Sequence, residues 1–339
     1  MTSQSILVTG GAGYIGAHTL VELVASGYTP VVLDDLSRSS MKLMDGVKQL
    51  TGKQLSFYQV DCADKTELRR VFGLHPEISA VMHFAAFKSV NESVEKPLLY
   101  FRNNIDSLLS LLEVMQEANV NRFVFSSSCT VYGQPDRIPV TEDAPFKRPE
   151  SPYGATKQMG ERILEDAVKA WKELKVVSLR YFNPIGAHPS GVIGELPIGV
   201  PNNLAPYITQ TAIGKRSRLT VFGSDYNTPD GSCLRDFIHV VDLAVAHVAA
   251  LSTIDQLPSR FEAFNLGTGV PVSVLELLNT FMRVTGVNVP YEIGPRRPGD
   301  IEKVYADPSK SNRALRWRTK LTIEDALRDA WRWEQNLAK

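Results

Sequence analysis

The stretch that decides the fold is "TGGAGYIG", Thr9 to Gly16, near the start of a chain of 339 residues. It satisfies the pattern G-x-G-x-x-G at Gly11, Gly13 and Gly16, and a second glycine pattern begins at Gly10. An apolar run precedes it and an amphipathic helical pattern follows it. Glycines at such a strand–helix turn let the backbone approach a pyrophosphate closely and leave the N–H groups of the helix start free to bind it. The stretch therefore predicts a dinucleotide-binding loop.

The first half of the chain alternates short β-rich runs with longer helical patterns. The runs are apolar on both faces, which is typical of parallel strands covered by helices on both sides. We expect an α/β fold, with a doubly wound parallel sheet of Rossmann type built from about six or seven strands. The predicted strands are 5–9, 30–34, 55–61, 80–85, 122–127 and 175–180, and the predicted helices are 14–26, 97–119 and 151–170.

The character of the sequence changes after about residue 183. The stretch "NPIGAHPSGVIGELPIGVPNN" (183–203) is rich in Gly and Pro and shows no periodicity, and a loop of that length is usually functional. Shorter elements in a less regular order follow it. We expect residues 1–182 to form an NAD-binding Rossmann-like domain, and residues 183–339 to form a smaller substrate-binding lobe, with some segments returning to the main sheet.

Composition argues against several classes of protein. Lys plus Arg equals Asp plus Glu at 37 each, so no nucleic-acid partner is expected. Cys62, Cys129 and Cys233 are too scattered for a disulfide framework, and the six histidines form no metal-ligand spacing. The start "MTSQSILVTGG" lacks a signal-peptide pattern, and the longest apolar stretch, "VVDLAVAHVAAL" (240–251), is too short to span a membrane. We expect a reduced cytoplasmic protein with no metal and no membrane contact.

An acidic residue completes the dinucleotide pattern. Asp34 ends the second predicted strand, about 20 residues beyond the glycine loop. A carboxylate there accepts hydrogen bonds from the ribose hydroxyls of adenosine and repels a 2′-phosphate, which favours NAD over NADP. Arg38 lies nearby and could hold a 2′-phosphate, so NADP stays open at this point.

The stretch "SPYGATK" (151–157) predicts a helix start that carries a catalytic pair. Ser151 is a good N-cap and Pro152 a good first helical residue, so Tyr153 lies in the first turn. Lys157, four residues on, shares its face. A tyrosine base needs its pKa lowered from about 10 toward 7, a shift of about 4 kcal/mol. An ammonium at 4–6 Å supplies about 3–4 kcal/mol, and the helix N-terminus adds a little more.

A run of hydroxyls follows the strand predicted at 122–127. In "FSSSCTVYG" (125–133) three serines come at the carboxyl end of this strand, where ligands sit in open parallel sheets. One of these hydroxyls, from Ser126, Ser127 or Ser128, can share a hydrogen bond with Tyr153 and a substrate.

Together with these motifs, the stretches "RYFNPIGAHPSG", "PNNLAPY", "DGSCLRDFIHVVDLA", "NLGTG" and "RRPGD" resemble the UDP-glucose 4-epimerases, in the extended branch of the short-chain dehydrogenase/reductases. The resemblance runs from about residue 5 to 335. It implies that Tyr153 takes the proton of the sugar 4-hydroxyl while the C4 hydride passes to a tightly bound NAD. The 4-keto sugar then turns within the pocket and receives the hydride on its other face. Lys157 lowers the tyrosine pKa and holds the cofactor ribose, and Ser128 guides the proton.

The resemblance also implies two sets of binding residues, a UDP-sugar held by the C-terminal lobe, and a homodimer that pairs through the helices at about 97–119 and 151–170. The cofactor set is Gly10, Gly13, Tyr14, Ile15, Gly16, Asp34, Asp35, Leu36, Ser37, Arg38, Ser39, Asp61, Cys62, Phe84, Ala85, Ala86, Phe87, Lys88, Asn103, Ser128, Tyr153, Lys157 and Phe182. The substrate set is Ser128, Tyr153, Asn183, Asn203, Leu204, Thr220, Val221, Phe222, Arg235, the Arg297 to Asp300 segment and Val304.

Two positions depart from the family pattern or qualify it. Cys129 stands where relatives usually carry alanine, and its role stays open between tuning the site and packing. In the family that the chain resembles, the residue at the position of Val304 helps set the room for the sugar C2 substituent. The resemblance and the small size of valine therefore predict UDP-N-acetylglucosamine and its galactosamine epimer as alternative substrates. Dehydratases with the same Tyr and Lys need an Asp-Glu pair where this chain has Cys129-Thr130. A non-catalytic sensor would have lost the Ser, Tyr or Lys that this chain retains.

Overall fold

A computed structural model describes residues 4–297 and 300–339 of the chain. The first three residues of the start, and Pro298 and Gly299 within the predicted Arg297 to Asp300 segment, lie outside the described residues. Among the helices that are described, none combines the length and the apolar character that crossing a bilayer requires.

The centre of the fold is a parallel sheet of seven strands, as the alternating pattern predicts. Its strands are short runs of β-branched and aromatic residues, and all five residues of the first strand are buried, because helices cover both faces. The order across the sheet is β10-β6-β5-β4-β1-β2-β3, with every neighbouring pair parallel. The strands are β1 (Ser5–Thr9), β2 (Thr29–Asp34), β3 (Ser56–Gln59), β4 (Ile78–His83), β5 (Arg122–Ser128), β6 (Lys175–Tyr181) and β10 (Phe261–Leu266).

Helices pack on both faces of this sheet and bury two apolar clusters. One cluster joins α1, α2 and α9 to one face, and the other joins α3, α6 and α7 to the opposite face. The fold is therefore the doubly wound α/β fold that the sequence predicts. The helices are α1 (Tyr14–Ala25), α2 (Met41–Thr51), α3 (Lys65–Leu74), α4 (Val90–Glu95), α5 (Pro97–Phe101), α6 (Ser107–Glu117), α7 (Pro152–Ala170), α8 (Leu204–Ala212), α9 (Val240–Thr253), α10 (Val274–Thr285), α11 (Ser309–Ala314) and α12 (Ile323–Leu337).

A smaller lobe stands beyond the carboxyl ends of the main strands. Its core is an apolar cluster to which α8, α10 and α12 contribute. Within the range predicted as a loop, residues 183–185 form a short strand that pairs with β9. The lobe contains two small sheets, built from β7 (Asn183–Ile185), β9 (Leu234–His239), β11 (Pro271–Ser273) and β13 (Lys303–Val304), and from β8 (Leu219–Phe222) and β12 (Tyr291–Gly294).

The chain crosses between the two parts more than once. After the lobe begins, α9 returns to pack against α1, and β10 adds the outermost strand beside β6. The main sheet therefore contains residues from well beyond position 182.

The helix predicted at 97–119 differs in its middle. It runs as α5, a wider π-helical turn at Arg102–Asp106, and α6. A π turn inserts one residue into the helix and often marks a functional position. Here the turn carries Asn104, whose buried amide binds two neighbouring elements.

Candidate active site

The glycine loop between β1 and α1 is shaped so that only glycine fits at two of its positions. Gly10 has a φ of +68°, and a Cβ there would lie 2.6 Å from the backbone nitrogen of Ala85. A Cβ on Gly16 would run into the carbonyl oxygen of Gly10. Gly13 is the N-cap of α1 and has no side chain to occupy the helix N–H groups. The loop therefore fits the pyrophosphate of a dinucleotide, with free backbone donors and the positive end of a helix.

Asp34 closes the other side of this loop. One carboxylate oxygen accepts the backbone N–H of Ala12 at 3.0 Å, and the other accepts Leu36 N–H at 3.0 Å and Ser39 Oγ–H at 2.6 Å. Burial raises the pKa of Asp34, and these three hydrogen bonds oppose that rise. A carboxylate can accept about four hydrogen bonds, so Asp34 keeps capacity for a ribose hydroxyl.

Arg38, which leaves NADP open in the sequence, is already engaged. Its guanidinium donates to both carboxylate oxygens of Glu92, at 2.8 and 3.0 Å, and lies 4.8 Å from the ring centre of Phe87. This arrangement holds the positive charge away from Asp34 and favours a cofactor without a 2′-phosphate.

The loop after β4 forms the next wall, and Asn104 fixes it. The Asn104 side chain accepts from Phe87 N–H at 2.8 Å and donates to the Phe87 carbonyl oxygen at 3.0 Å. It also donates to Thr156 Oγ in α7 at 3.0 Å, and it accepts from the amide of Asn103 at 2.9 Å. Asn104 thus ties the cofactor wall to the helix that carries Tyr153. The predicted cofactor set contains Asn103 but not Asn104, which only the π turn distinguishes.

The catalytic pair and the serine run meet at the carboxyl end of β5. Lys157 is buried and donates its ammonium proton to the Ser126 carbonyl oxygen at 2.6 Å. The same nitrogen lies 5.9 Å from the ring centre of Tyr153. Ser128 ends the strand with its side chain buried. A hydrogen bond with its hydroxyl favours the ionised form of Tyr153. Tyr153, Lys157 and Ser128 are therefore neighbours in space, as predicted from their positions on a helix start and a strand end.

The electrostatics of the pair bear on one expectation. Burial raises the pKa of Tyr153, and the nearby Tyr181 hydroxyl adds to the rise, while Ser128 opposes it. Burial also lowers the pKa of Lys157 to about 7, against the attraction of Glu161. For the chain by itself the net shift of the Tyr153 pKa is therefore upward, and the lowering by Lys157 stays a prediction. The estimate from sequence counted the attraction of an ammonium and left out the cost of burying the phenolate.

Several residues of the predicted cofactor set already make contacts within the protein. The Tyr14 hydroxyl donates to the Gly186 carbonyl oxygen at 2.6 Å, and Ile15 packs against the core. Asp61 accepts the N–H of Ala63 at 2.8 Å. Cys62 is buried, and burial raises its thiol pKa, so the thiol is unreactive.

Three charged residues of the predicted substrate set form one group in the lobe. Asp300 accepts a hydrogen bond from Arg297 at 2.5 Å, and one of its carboxylate oxygens lies 3.7 Å from a guanidinium nitrogen of Arg235. Val304 pairs with Arg235 between β13 and β9, and its buried side chain shares a cluster with Phe182. Cys129 packs against that cluster, which places the group beside the end of β5.

The strand β8 contributes unequally to the predicted substrate set. Phe222 is 41% exposed, and the guanidinium of Arg297 lies 5.8 Å from its ring centre. Val221 is 1% exposed and packs in the core of the lobe, so its side chain is unavailable to a ligand. Its place in the predicted substrate set stays a prediction that rests on its backbone, because strand side chains alternate between the two faces. Thr220 precedes it on the opposite face, and Asn183 begins β7.

Glu195 links the two predicted sets and belongs to neither of them. It accepts from the Asn203 amide at 2.5 Å and from the Lys88 ammonium at 3.1 Å. Asn203 is the N-cap of α8, and Leu204 is its first residue. The position of Glu195 in a Gly- and Pro-rich stretch carries no periodic signal, so the tertiary fold alone brings these groups together.

Comparison with known proteins gives a consistent result. Residues 6–267 match the model of the NAD dependent epimerase/dehydratase family. The chain is 52% identical over 333 residues to UDP-glucose 4-epimerase of Bacillus subtilis, covering 98% of this chain and 97% of the relative. It is 50% identical over 337 residues to UDP-glucose 4-epimerase 2 of Arabidopsis thaliana, covering 98% and 96%. The crystal structure of UDP-glucose 4-epimerase from Bifidobacterium longum, in complex with NAD⁺ and UDP, matches with a TM-score of 0.94 at 45% identity and 98% coverage of both chains.

Proposed function

The chain belongs to the UDP-glucose 4-epimerases of the NAD-dependent epimerase/dehydratase family, and from this premise we propose that Tyr153, Lys157 and Ser128 carry its proton transfers. The enzyme interconverts UDP-glucose and UDP-galactose. The observation that carries the proposal is the burial of Lys157 against Ser126, one helical turn from Tyr153 and beside the serine end of β5. NAD, when bound, would supply the hydride acceptor and donor for sugar C4.

The cofactor lies along the N-terminal part of the fold in this proposal. The glycine loop and the start of α1 hold the pyrophosphate, and Asp34 holds the ribose of adenosine. The loop after β4, fixed by Asn104, covers the nicotinamide half. The described donors match these parts of NAD in chemistry. Residues 1–182 thus supply the cofactor contacts together with the catalytic Tyr153, Lys157 and Ser128, and residues 183–339 supply the contacts to UDP.

Tyr153 removes the proton of the sugar 4-hydroxyl and later returns one. Because burial raises its pKa, the hydroxyl needs more positive charge beside it than Lys157 provides. A bound NAD⁺ would supply such positive charge. Ser128, whose hydroxyl acts on Tyr153, passes the proton between the sugar oxygen and the tyrosine oxygen.

The diphosphate of UDP lies against Arg235 and Arg297. Both guanidinium groups face the carboxylate of Asp300, so this group of three carries one positive charge in excess, which suits a diphosphate. Phosphate oxygens match the guanidinium fork and compete with Asp300 for it. Phe222, exposed next to Arg297, offers an aromatic face to uracil. A lobe that grips UDP leaves the hexose free to turn.

The N-acetylated sugars are not favoured as the principal substrates. The relatives reported above are UDP-glucose 4-epimerases, and a sugar with a larger C2 group needs room near Val304. The small side chain of Val304 supplies room within its cluster. Turnover of UDP-N-acetylglucosamine as an additional activity rests on this one side chain. Water elimination lacks its acid at Cys129-Thr130.

The helices α4 to α7 carry the surface that we assign to the homodimer. Their exposed apolar side chains include Leu98 at 81%, Val94 at 61% and Met159 at 47%. Apolar side chains grouped on neighbouring helices are typical of a subunit interface. The three cysteines are unpaired, which suits a reducing compartment such as the cytoplasm.

The direct test offers purified protein UDP-galactose with no added cofactor. Formation of UDP-glucose, together with a slight rise in the near-ultraviolet absorbance of reduced nicotinamide, is the expected result. No turnover by protein that contains NAD would overturn the proposal.

A further inference from the structure

Glu161 extends the catalytic pair by one more helical turn. It lies four residues beyond Lys157 and eight beyond Tyr153 in α7, so the three side chains share one face of the helix. Its side chain is 0% exposed, and one carboxylate oxygen accepts the Ser127 hydroxyl at 2.5 Å. An ionised carboxylate buried at this depth is costly unless its partners are well placed.

The partner of Glu161 is equally buried. Arg180 in β6 donates to both carboxylate oxygens of Glu161, with the shortest hydrogen bond at 2.6 Å. The remaining guanidinium donor binds the Tyr132 hydroxyl at 3.0 Å, and that hydroxyl donates to Asn265 in β10 at 2.6 Å. The Glu161 carboxylate is therefore held in one orientation by Ser127 from β5 and Arg180 from β6, and Arg180 is itself held by Tyr132 and by the Glu142 carbonyl oxygen.

The end of β5 is fixed by two different members of α7. Lys157 binds the Ser126 carbonyl oxygen, and Glu161 binds the Ser127 hydroxyl. The Ser127 side chain points away from the catalytic side, which leaves the next residue, Ser128, aimed toward Tyr153. A change at Glu161 would loosen the strand one residue before the proton-guiding hydroxyl.

We propose that Glu161 is a positioning residue of the reaction: it fixes the serine end of β5 and keeps the ammonium of Lys157 charged beside Tyr153. The inference rests on the proposed roles of Lys157, Tyr153 and Ser128. It adds a residue that touches neither sugar nor cofactor.

The charged groups around Lys157 make this role specific. Burial lowers the pKa of Lys157 to about 7, and Glu161 is the group that opposes this change. The other ionisable groups that face this region are His83 from β4, Tyr181 and Arg180 from β6, and Tyr100 and Tyr153. Burial lowers the pKa of His83 to about 3 and raises that of Tyr181 to about 12, so both are neutral at neutral pH. From β5 the ammonium meets only the Phe125 ring and the Ser126 carbonyl oxygen.

The first experiment compares Glu161→Gln with Glu165→Gln in the holoenzyme. Glu165 lies one turn further along α7, is 38% exposed and has Arg162 as its partner, so its replacement removes a carboxylate without touching β5. We expect Glu161→Gln to move the alkaline limb of kcat to lower pH. The kcat of Glu161→Gln relative to wild type then falls as pH rises. Above both limbs it is lower by about tenfold for each pH unit by which the limb is displaced. Glu165→Gln keeps the wild-type profile. A loss that is the same at every pH would mean a merely structural role and would overturn the proposal.

A second variant covers the case in which Glu161→Gln fails to fold around an unpaired Arg180. Glu161→Gln combined with Arg180→Met removes both charges, and thermal denaturation reports whether the fold recovers. We expect the displaced limb to persist in the recovered protein. Return of the wild-type profile would contradict the assignment, since it would show that only the buried ion pair mattered.

A direct measurement keeps the inference separate from the proposed function. The Lys157 resonance in protein with isotope-labelled lysine, assigned by its absence in Lys157→Met, reports its titration without any turnover. We expect it to titrate at lower pH in Glu161→Gln than in wild type or Glu165→Gln. An unchanged titration overturns the inference even if Tyr153 is the base. A shifted titration supports it even if the assignment of Tyr153 fails.

Discussion

The Arg38 guanidinium is held by both carboxylate oxygens of Glu92, at 2.8 and 3.0 Å. This pair joins the loop after β2 to the start of α4. The Arg38 side chain is 49% exposed, so the ion pair contributes little to stability. Its main effect is to hold the guanidinium charge in one position.

Removing the Glu92 charge should weaken the selectivity for NAD. In Glu92→Gln the guanidinium is freer to meet a 2′-phosphate, and one such hydrogen-bonded charge pair is worth about 1.5 kcal/mol, or about tenfold in Kd. We expect NADP to bind about tenfold more tightly than in wild type, as measured by titration of protein stripped of cofactor. Glu95→Gln, which alters an exposed carboxylate of the same helix, is the control. Unchanged NADP affinity in Glu92→Gln would show that Arg38 does not limit selectivity.

Tyr153→Phe should keep its fold and its NAD and lose most of its activity. The change removes one hydroxyl, and general-base catalysis contributes about 10²- to 10⁴-fold. We expect kcat to fall by that amount while UDP affinity and cofactor content stay unchanged. Tyr28→Phe removes a surface hydroxyl that bonds Ser252 at 3.3 Å and should retain full activity. An active Tyr153→Phe enzyme would exclude this tyrosine as the base.

The size of residue 304 should govern activity on N-acetylated sugars. Val304 is buried in the cluster that contains Phe182, beside Cys129. We expect wild type to turn over UDP-N-acetylglucosamine, and Val304→Tyr to lower kcat/KM for that sugar by at least about tenfold relative to UDP-galactose. Val270→Tyr, at a position that is 63% exposed, is the control for added bulk. Undetectable turnover of the N-acetylated sugar by wild type would reject the role of Val304.

A charge on the exposed face of α5 should break the homodimer. Leu98→Glu places a carboxylate where burial of leucine would contribute about 1.5–3 kcal/mol to dimer stability. The dissociation constant of the dimer should therefore rise by at least about tenfold. Sedimentation over a range of protein concentrations measures this effect. Leu74→Glu, at a 55% exposed position on α3, controls for the added charge. Identical dissociation in the two variants would place the interface elsewhere.

Acid should destabilise the fold partly through His247. This ring lies 4.8 Å from that of Phe84 and 5.7 Å from that of Tyr181, and burial lowers its pKa to about 4 from 6.5. Between these two values the unfolded chain binds a proton that the folded chain does not, so stability falls as pH falls below 6.5. Wild type should lose about 1.4 kcal/mol more per pH unit in this window than His247→Phe, measured by urea unfolding. Equal slopes would mean that His247 ionises in the native state.

The main sheet was predictable because its strands carry a local signal. Runs such as Ser5–Thr9 and Arg122–Ser128 are apolar on both faces and bounded by turn residues. The outermost strand, Phe261–Leu266, was not placed from sequence, since its register depends on a chain that has first passed through the lobe. The π turn at Arg102–Asp106 also escaped prediction, because its one extra residue barely alters the apolar period.

The candidate site divides in the same way. Tyr153 and Lys157 were placed by helical spacing, and Ser128 by the end of a strand. Glu161, Asn104 and Glu195 were missed, because each also contacts a residue that is 17 to 107 positions away along the chain. The burial of the Val221 side chain was not foreseen, because a contiguous motif hides the alternation of a strand. The pKa of Tyr153 could not be worked out in advance, since burial depends on every element packed around it.

The return of β10 to the main sheet bears on how this enzyme can be cut and recombined. A fragment ending at residue 182 would leave the hydrogen-bonding edge of β6 open and the apolar side of α1 without α9. The cofactor-binding half is therefore no portable module. A chimaera with a new sugar lobe must carry the donor segments 240–266 or keep the original ones in place, and an insertion tolerated elsewhere in the lobe would be costly there.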